Sequence, residues 1–284
     1  MRKVLQHKRI RLYLSSRSTL IRVRKRHSCH YACPQPSRRV PLETVSSQAD
    51  SAGSIPVTHP NAKSVAIHTN WAHSHSPAGT RDQSYATHAD DSAALIETLA
   101  LGGCTLVGSS GGSYVGFELL RRHPGLVRAA VLSEPPLFQI APSTGATIRE
   151  QIAPAVQAAA EEGGARSAVD AFLQLMCPGL WNSIDEQHKD RYRDNAEMLF
   201  PALTAPADPV PDADLAAIEV PVLVITGSDS HPALRTIAVR LASGLPQGEL
   251  LELAHSGHVT YAEQPAAFAT AVRAFTARGS SVMR

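Results

Sequence analysis

Gly108-Ser109-Ser110-Gly111-Gly112 constrains this chain more than any other stretch, because it stands between a short apolar run, Cys104 to Val107, and a helical segment from Ser113 to His123. A turn that tight from a buried strand into a helix leaves no room for bulk two residues before and two after its centre. Gly108 and Gly112 meet that condition. Ser110 is therefore expected on a strained turn at the edge of a sheet, where a hydroxyl is presented rather than packed. Its neighbour Gly111 can direct a backbone N–H toward an oxyanion, and the positive end of the following helix adds to the same field.

From Thr87 onward helix and strand signals alternate as in an α/β protein. Ala89 to Leu101 reads as a helix ended by Gly102-Gly103, and Val127 to Leu132 as a buried strand after the Pro124-Gly125 stop. Pro221 to Thr226 is the clearest strand, a β-branched run apolar on both faces, which belongs to a parallel sheet covered on each side. Pro232 to Gly244 reads as a helix and Glu249 to Leu253 as a last strand. A closing helix, Pro265 to Ala277, carries Phe268, Val272 and Phe275 on one face. Val65 to Ile67 is one more strand candidate. Between the second and third strands lie helical segments only: Ile148 to Glu162, Ala165 to Met176 and Glu186 to Phe200. So long an excursion is expected to form a cap, residues 137–217, over the carboxyl edge of the sheet, where ligands bind in open α/β sheets.

Charge divides the chain. Residues 1 to 42 hold 12 of the 27 Lys and Arg and no acid, whereas the remainder carries 15 basic and 25 acidic residues, a formal balance of −10. The body therefore offers no basic surface for nucleic acid, and the expected partner is a small molecule. Residues 1–60 read as a basic, poorly patterned extension and 61–284 as the folded domain. Four cysteines in a chain of 284 form no recognisable disulfide framework, which points to a reducing compartment such as the cytoplasm. The Arg-rich, acid-free leader has equally the composition of an organellar transit peptide. The long uncharged run Thr98 to Phe117 is broken by six glycines and is no membrane span. His27, Cys29, His30 and Cys33 lack the spacing of a zinc site, so neither a metal nor a cofactor is expected.

Four segments together give the chain its resemblance to the α/β-hydrolase superfamily. Tyr85 to Asp91 is similar to the helix before the nucleophile strand, and Gly108 to Gly112 to the nucleophile elbow. Thr226-Gly227-Ser228-Asp229-Ser230 resembles the loop bearing the catalytic acid. Ala254-His255-Ser256-Gly257-His258, followed by Gln264-Pro265 and Phe268, resembles the histidine loop. The likeness covers residues 64 to 284, and the order Ser, Asp, His is the one this fold uses. It implies a mostly parallel sheet with helices on both faces, a helical cap, and a triad of Ser110, Asp229 and His258. Ser110 would be the nucleophile, His258 the base and Asp229 the group that orients it, with Gly111 giving an oxyanion N–H. The implied reaction cleaves an ester-like bond of a small, partly apolar molecule through an acyl-enzyme.

Each assignment has a plainer rival. Asp229 suits the N-cap of the helix near Pro232, and His255 competes with His258. Met176, Trp181 and Phe200 in the cap are candidates to line an apolar substrate pocket, and equally candidates to hold the cap helices to the core. The resemblance also implies a second oxyanion donor after a His-Gly pair. No His-Gly dipeptide occurs in this sequence, Val40 to Gln48 contains no glycine, and Trp71 to Ser76 stands where the family has a glycine-containing loop. A protein that keeps the fold and binds without turnover is therefore the alternative.

Overall fold

The computed structural model describes residues 11–15, 18–24, 45–46, 64–67, 84–194, 196 and 209–281. Its centre is a six-stranded parallel sheet in the order β3-β4-β5-β6-β7-β8. The strands are Val45–Ser46 (β3), Ser64–Ile67 (β4), Cys104–Ser109 (β5), Val127–Ser133 (β6), Val222–Gly227 (β7) and Gly248–Leu253 (β8). A separate antiparallel hairpin, Arg11–Ser15 (β1) with Ser18–Arg24 (β2), precedes it. The hairpin and β3 fall within the stretch expected to be unpatterned. The second strand of the hairpin does carry an alternation, Ile21 and Val23 alternating with Arg22 and Arg24.

Period-two alternation divides the sheet between two apolar layers. Ala130, Leu132, Val222 and Val224 face a larger cluster, packed with Ala89, Ala93 and Ile96 of α1 (Tyr85–Thr98) and with Val115 and Leu119 of α2 (Gly111–Arg122). Their neighbours Ala129, Val131, Leu223 and Ile225 face the other side, against Phe268, Val272 and Phe275. Both faces are covered, so Ala129 to Leu132 of β6 and Val222 to Ile225 of β7 read as unbroken apolar runs, as expected of a parallel sheet.

The excursion between β6 and β7 is helical where it is described. A 3₁₀ turn, Phe138–Ile140, leads into α3 (Pro142–Met176), followed by α4 (Pro178–Ser183), α5 (Glu186–Arg193) and α6 (Asp212–Ala216). Helix α3 joins the two helices expected from the sequence, and Gly164, at φ 75° and ψ −169°, breaks it where they meet. Arg193 grips Asp170 with two hydrogen bonds of 2.7 and 2.8 Å, and Arg166 reaches Asp190 and Asp194, each at 2.7 Å. These pairs fasten α5 to the second half of α3. After β7 come α7 (Pro232–Gly244), β8, the short α8 (Thr260–Glu263) and α9 (Pro265–Ser281). Among the described residues no helix is long and apolar enough to cross a membrane.

Candidate active site

In a parallel sheet all strands end at one edge, and the chemistry-bearing residues follow those ends directly. Ser110 follows β5, Glu134 follows β6, Asp229 lies just beyond β7, and His258 lies in the loop after β8. Register brings the first two side by side, because Ser109 and Ser133 are paired across β5 and β6.

Ser110 sits at φ 51° and ψ −123°, a backbone conformation that costs a non-glycine residue about 1–3 kcal/mol. Gly108 makes the turn possible: a Cβ there would collide with the carbonyl of Gly112 and the nitrogen of Ser113. Gly111 is the first residue of α2, so its N–H is among the leading donors of that helix. The Ser110 hydroxyl lies 2.9 Å from His258 Nε2. With Nε2 as acceptor of the serine proton, the ring proton resides on Nδ1. That nitrogen faces Glu134 Oε2 at 3.2 Å.

Glu134 is fully buried, and four donors surround its carboxylate. Oε1 accepts from Thr226 Oγ1 at 2.7 Å and from the Gly227 backbone N–H at 2.8 Å, while Oε2 accepts from Ser230 Oγ at 2.5 Å as well as from His258. A buried carboxylate is tolerable only when so satisfied. The loop after β7 thus contributes donors to this carboxylate. Asp229, expected behind the imidazole, is not found there. It is exposed, its carboxylate accepts from Ser228 Oγ at 2.9 Å, and its N–H donates to the Ser256 carbonyl. Gly227 and Ser230 on either side of it turn inward to Glu134, which leaves the intervening side chain facing outward. His255 is also exposed, at φ 55°, and His258 is the histidine that reaches Ser110.

Residues 54–271 match the model of a family described as the alpha/beta hydrolase family. The chain belongs to that family. A protein of Pantoea ananatis named "Putative carbamate hydrolase RutD" is 27% identical over 203 residues, spanning 68% of this chain and 69% of the relative. Among solved structures, MenH from S. aureus superposes with a TM-score of 0.59 at 15% identity, covering 74% of this chain and 81% of that one. A thermophilic esterase from Thermogutta terrifontis superposes at 0.58 with 20% identity, covering 73% and 77%. At such identities the likeness to these structures is one of fold.

This alpha/beta hydrolase places the remaining candidates as follows. Met176 and Trp181 are buried in the larger core cluster. Trp181 packs edge-on against Tyr192 with ring centroids 6.0 Å apart, and Lys189 and Arg193 lie over its ring at 5.4 and 5.7 Å. Phe200, the His27 to Cys33 cluster and the Trp71 to Ser76 segment lie outside the described residues, as does Val40 to Gln48 apart from the two residues of β3. Among the described residues no group of three His, Cys, Asp or Glu side chains is arranged to hold a metal ion. Glu134 escaped the sequence reading, although a signal existed. It is a lone acid that follows the apolar run Ala129 to Leu132 and Ser133, immediately before Pro135-Pro136.

Proposed function

We propose that this chain is a serine hydrolase that cleaves an ester-like bond of a small molecule through an acyl-enzyme, with Ser110, His258 and Glu134 as its triad. The observation that carries this reading is the continuous hydrogen-bond path from Ser110 Oγ through both imidazole nitrogens to a fully buried carboxylate. The hydrolase names of its relatives agree with it.

In the first half-reaction the Ser110 oxygen attacks the carbonyl carbon as its proton passes to His258 Nε2. The imidazolium so formed donates through Nδ1–H to Glu134, whose charge stabilises it. Negative charge on the former carbonyl oxygen meets the Gly111 N–H and the start of α2. Collapse expels the leaving group, which takes the proton from Nε2. Water then attacks the acyl-serine, with His258 accepting its proton and returning it to Ser110.

A fluorophosphonate probe tests this directly, since it reacts only with an activated serine. The wild-type protein is expected to be labelled at Ser110 and Ser110→Ala to remain unlabelled. An unlabelled wild-type protein, or an equally labelled variant, overturns the proposal.

A further inference from the structure

Resting on the triad reading above, we infer that Glu263 is a positioning residue for His258, acting through the two peptide groups that flank it. Glu263 ends the short helix α8 and folds back toward the start of that helix. Its Oε2 accepts from the Gly257 N–H at 2.7 Å, and its Oε1 accepts from the Val259 N–H at 3.1 Å. One carboxylate therefore holds the backbone immediately before and immediately after His258. The contact is close: a Cβ on Gly257 would come within 3.2 Å of both carboxylate oxygens. Glycine at 257 lets the acid reach the loop.

The arrangement has the form of a helix cap, in which a glutamate of the first turn reaches back to the N-cap N–H. A cap alone needs only the Val259 bond. The second bond, to Gly257, spans His258 and fixes the origin of its side chain at both ends. That matters because the imidazole must satisfy two partners at once, Ser110 Oγ at 2.9 Å and Glu134 Oε2 at 3.2 Å. A reactive group displaced by about 1 Å loses on the order of a hundredfold in rate. Charge-assisted bonds to a carboxylate are the kind strong enough to hold a loop that accurately.

The experiment compares wild type, Glu263→Ala and Glu263→Gln by hydrolysis of an aryl acetate, by the rate of fluorophosphonate labelling, by thermal melting and by the downfield proton NMR signal of His258 Nδ1–H. Glu263→Ala, assayed well below its melting temperature, is expected to lower kcat and the labelling rate by about tenfold to a hundredfold with KM nearly unchanged, and to broaden or shift the Nδ1–H signal. Glu263→Gln keeps one acceptor and turns donors toward the other N–H, so an intermediate loss is expected. It decides the matter if the alanine variant does not fold. A folded variant with a lowered melting temperature but wild-type kcat, labelling rate and Nδ1–H signal makes Glu263 a structural cap and overturns the inference. Failure of wild-type labelling would instead strike the triad reading.

Discussion

The backbone N–H of Ser110 donates to the carbonyl oxygen of Ser133 at 2.9 Å, so the candidate nucleophile is tied through the main chain to the residue immediately before Glu134. The same carbonyl accepts from Ser113 Oγ at 2.7 Å, and the Ser133 hydroxyl shares a 2.6 Å hydrogen bond with Thr260 Oγ1, two residues after His258. One residue at the end of β6 thereby fixes the elbow and the histidine loop relative to each other.

Glu134→Gln is expected to reduce turnover of an aryl acetate by about three to four powers of ten, because a neutral amide neither selects the imidazole tautomer nor stabilises the imidazolium. Asp229→Asn, at an exposed position, should stay within about threefold of wild type. Steady-state kinetics on the two variants decide between the carboxylates, and the opposite ranking returns the role to Asp229.

His258→Ala is expected to abolish fluorophosphonate labelling, whereas His255→Ala should be labelled at close to the wild-type rate. Labelling time courses on both variants are the check. A severe effect at 255 with a mild one at 258 would mean that the base has been misassigned.

Thr260→Val leaves the buried Ser133 hydroxyl without its partner and should cost about 1–3 kcal/mol of stability in urea denaturation. Adding Ser133→Ala removes the other half of the pair. The double variant should then be no less stable than Thr260→Val alone, since a missing pair costs less than an orphaned member.

Cys177 is expected to resist iodoacetamide in the folded protein at pH 8 and to react on unfolding, as read by peptide mass spectrometry. Burial, assisted by the negative charge of Glu263, pushes its thiol up to about 12, so the reactive thiolate is scarce. The same displacement predicts a pH dependence of stability. The unfolded chain releases this proton near pH 8.5 and the folded chain does not, so the contribution is complete below that value and lost as pH rises toward 12. Burial pushes Tyr85 up to about 12 as well, in the same sense. Melting temperatures from pH 8 to 11 should fall, less steeply in Cys177→Ala.

Much of the architecture was legible in the chain because it is encoded locally. The elbow required glycine at 108, and a Cβ there would indeed strike the facing carbonyl. Strands β5 to β8 and the two helices expected in α3 could be read from apolar period and from glycine and proline punctuation. Strand β4, four residues long, is still marked by the apolar Val65 to Ile67, whereas β3 has only two residues and leaves no pattern to read. Helix α4, opened by Pro178, is a six-residue turn whose only buried residue is Trp181, too brief to establish a period.

By itself the sequence determined which serine stands on the strained turn and which runs bury themselves in a parallel sheet, because each of these is a matter of spacing within one segment. Spacing alone leaves His255 and His258 as rivals, and the fold brings His258 to Ser110. Which carboxylate faces His258 was decided only by tertiary structure. Glu134 and Asp229 both follow the ends of neighbouring strands, and no local pattern says which of two adjacent loops reaches His258 Nδ1. The choice rests on where the donors converge: Thr226, Gly227 and Ser230 close around the buried Glu134 carboxylate that faces the imidazole, and the same inward turn leaves Asp229 outside.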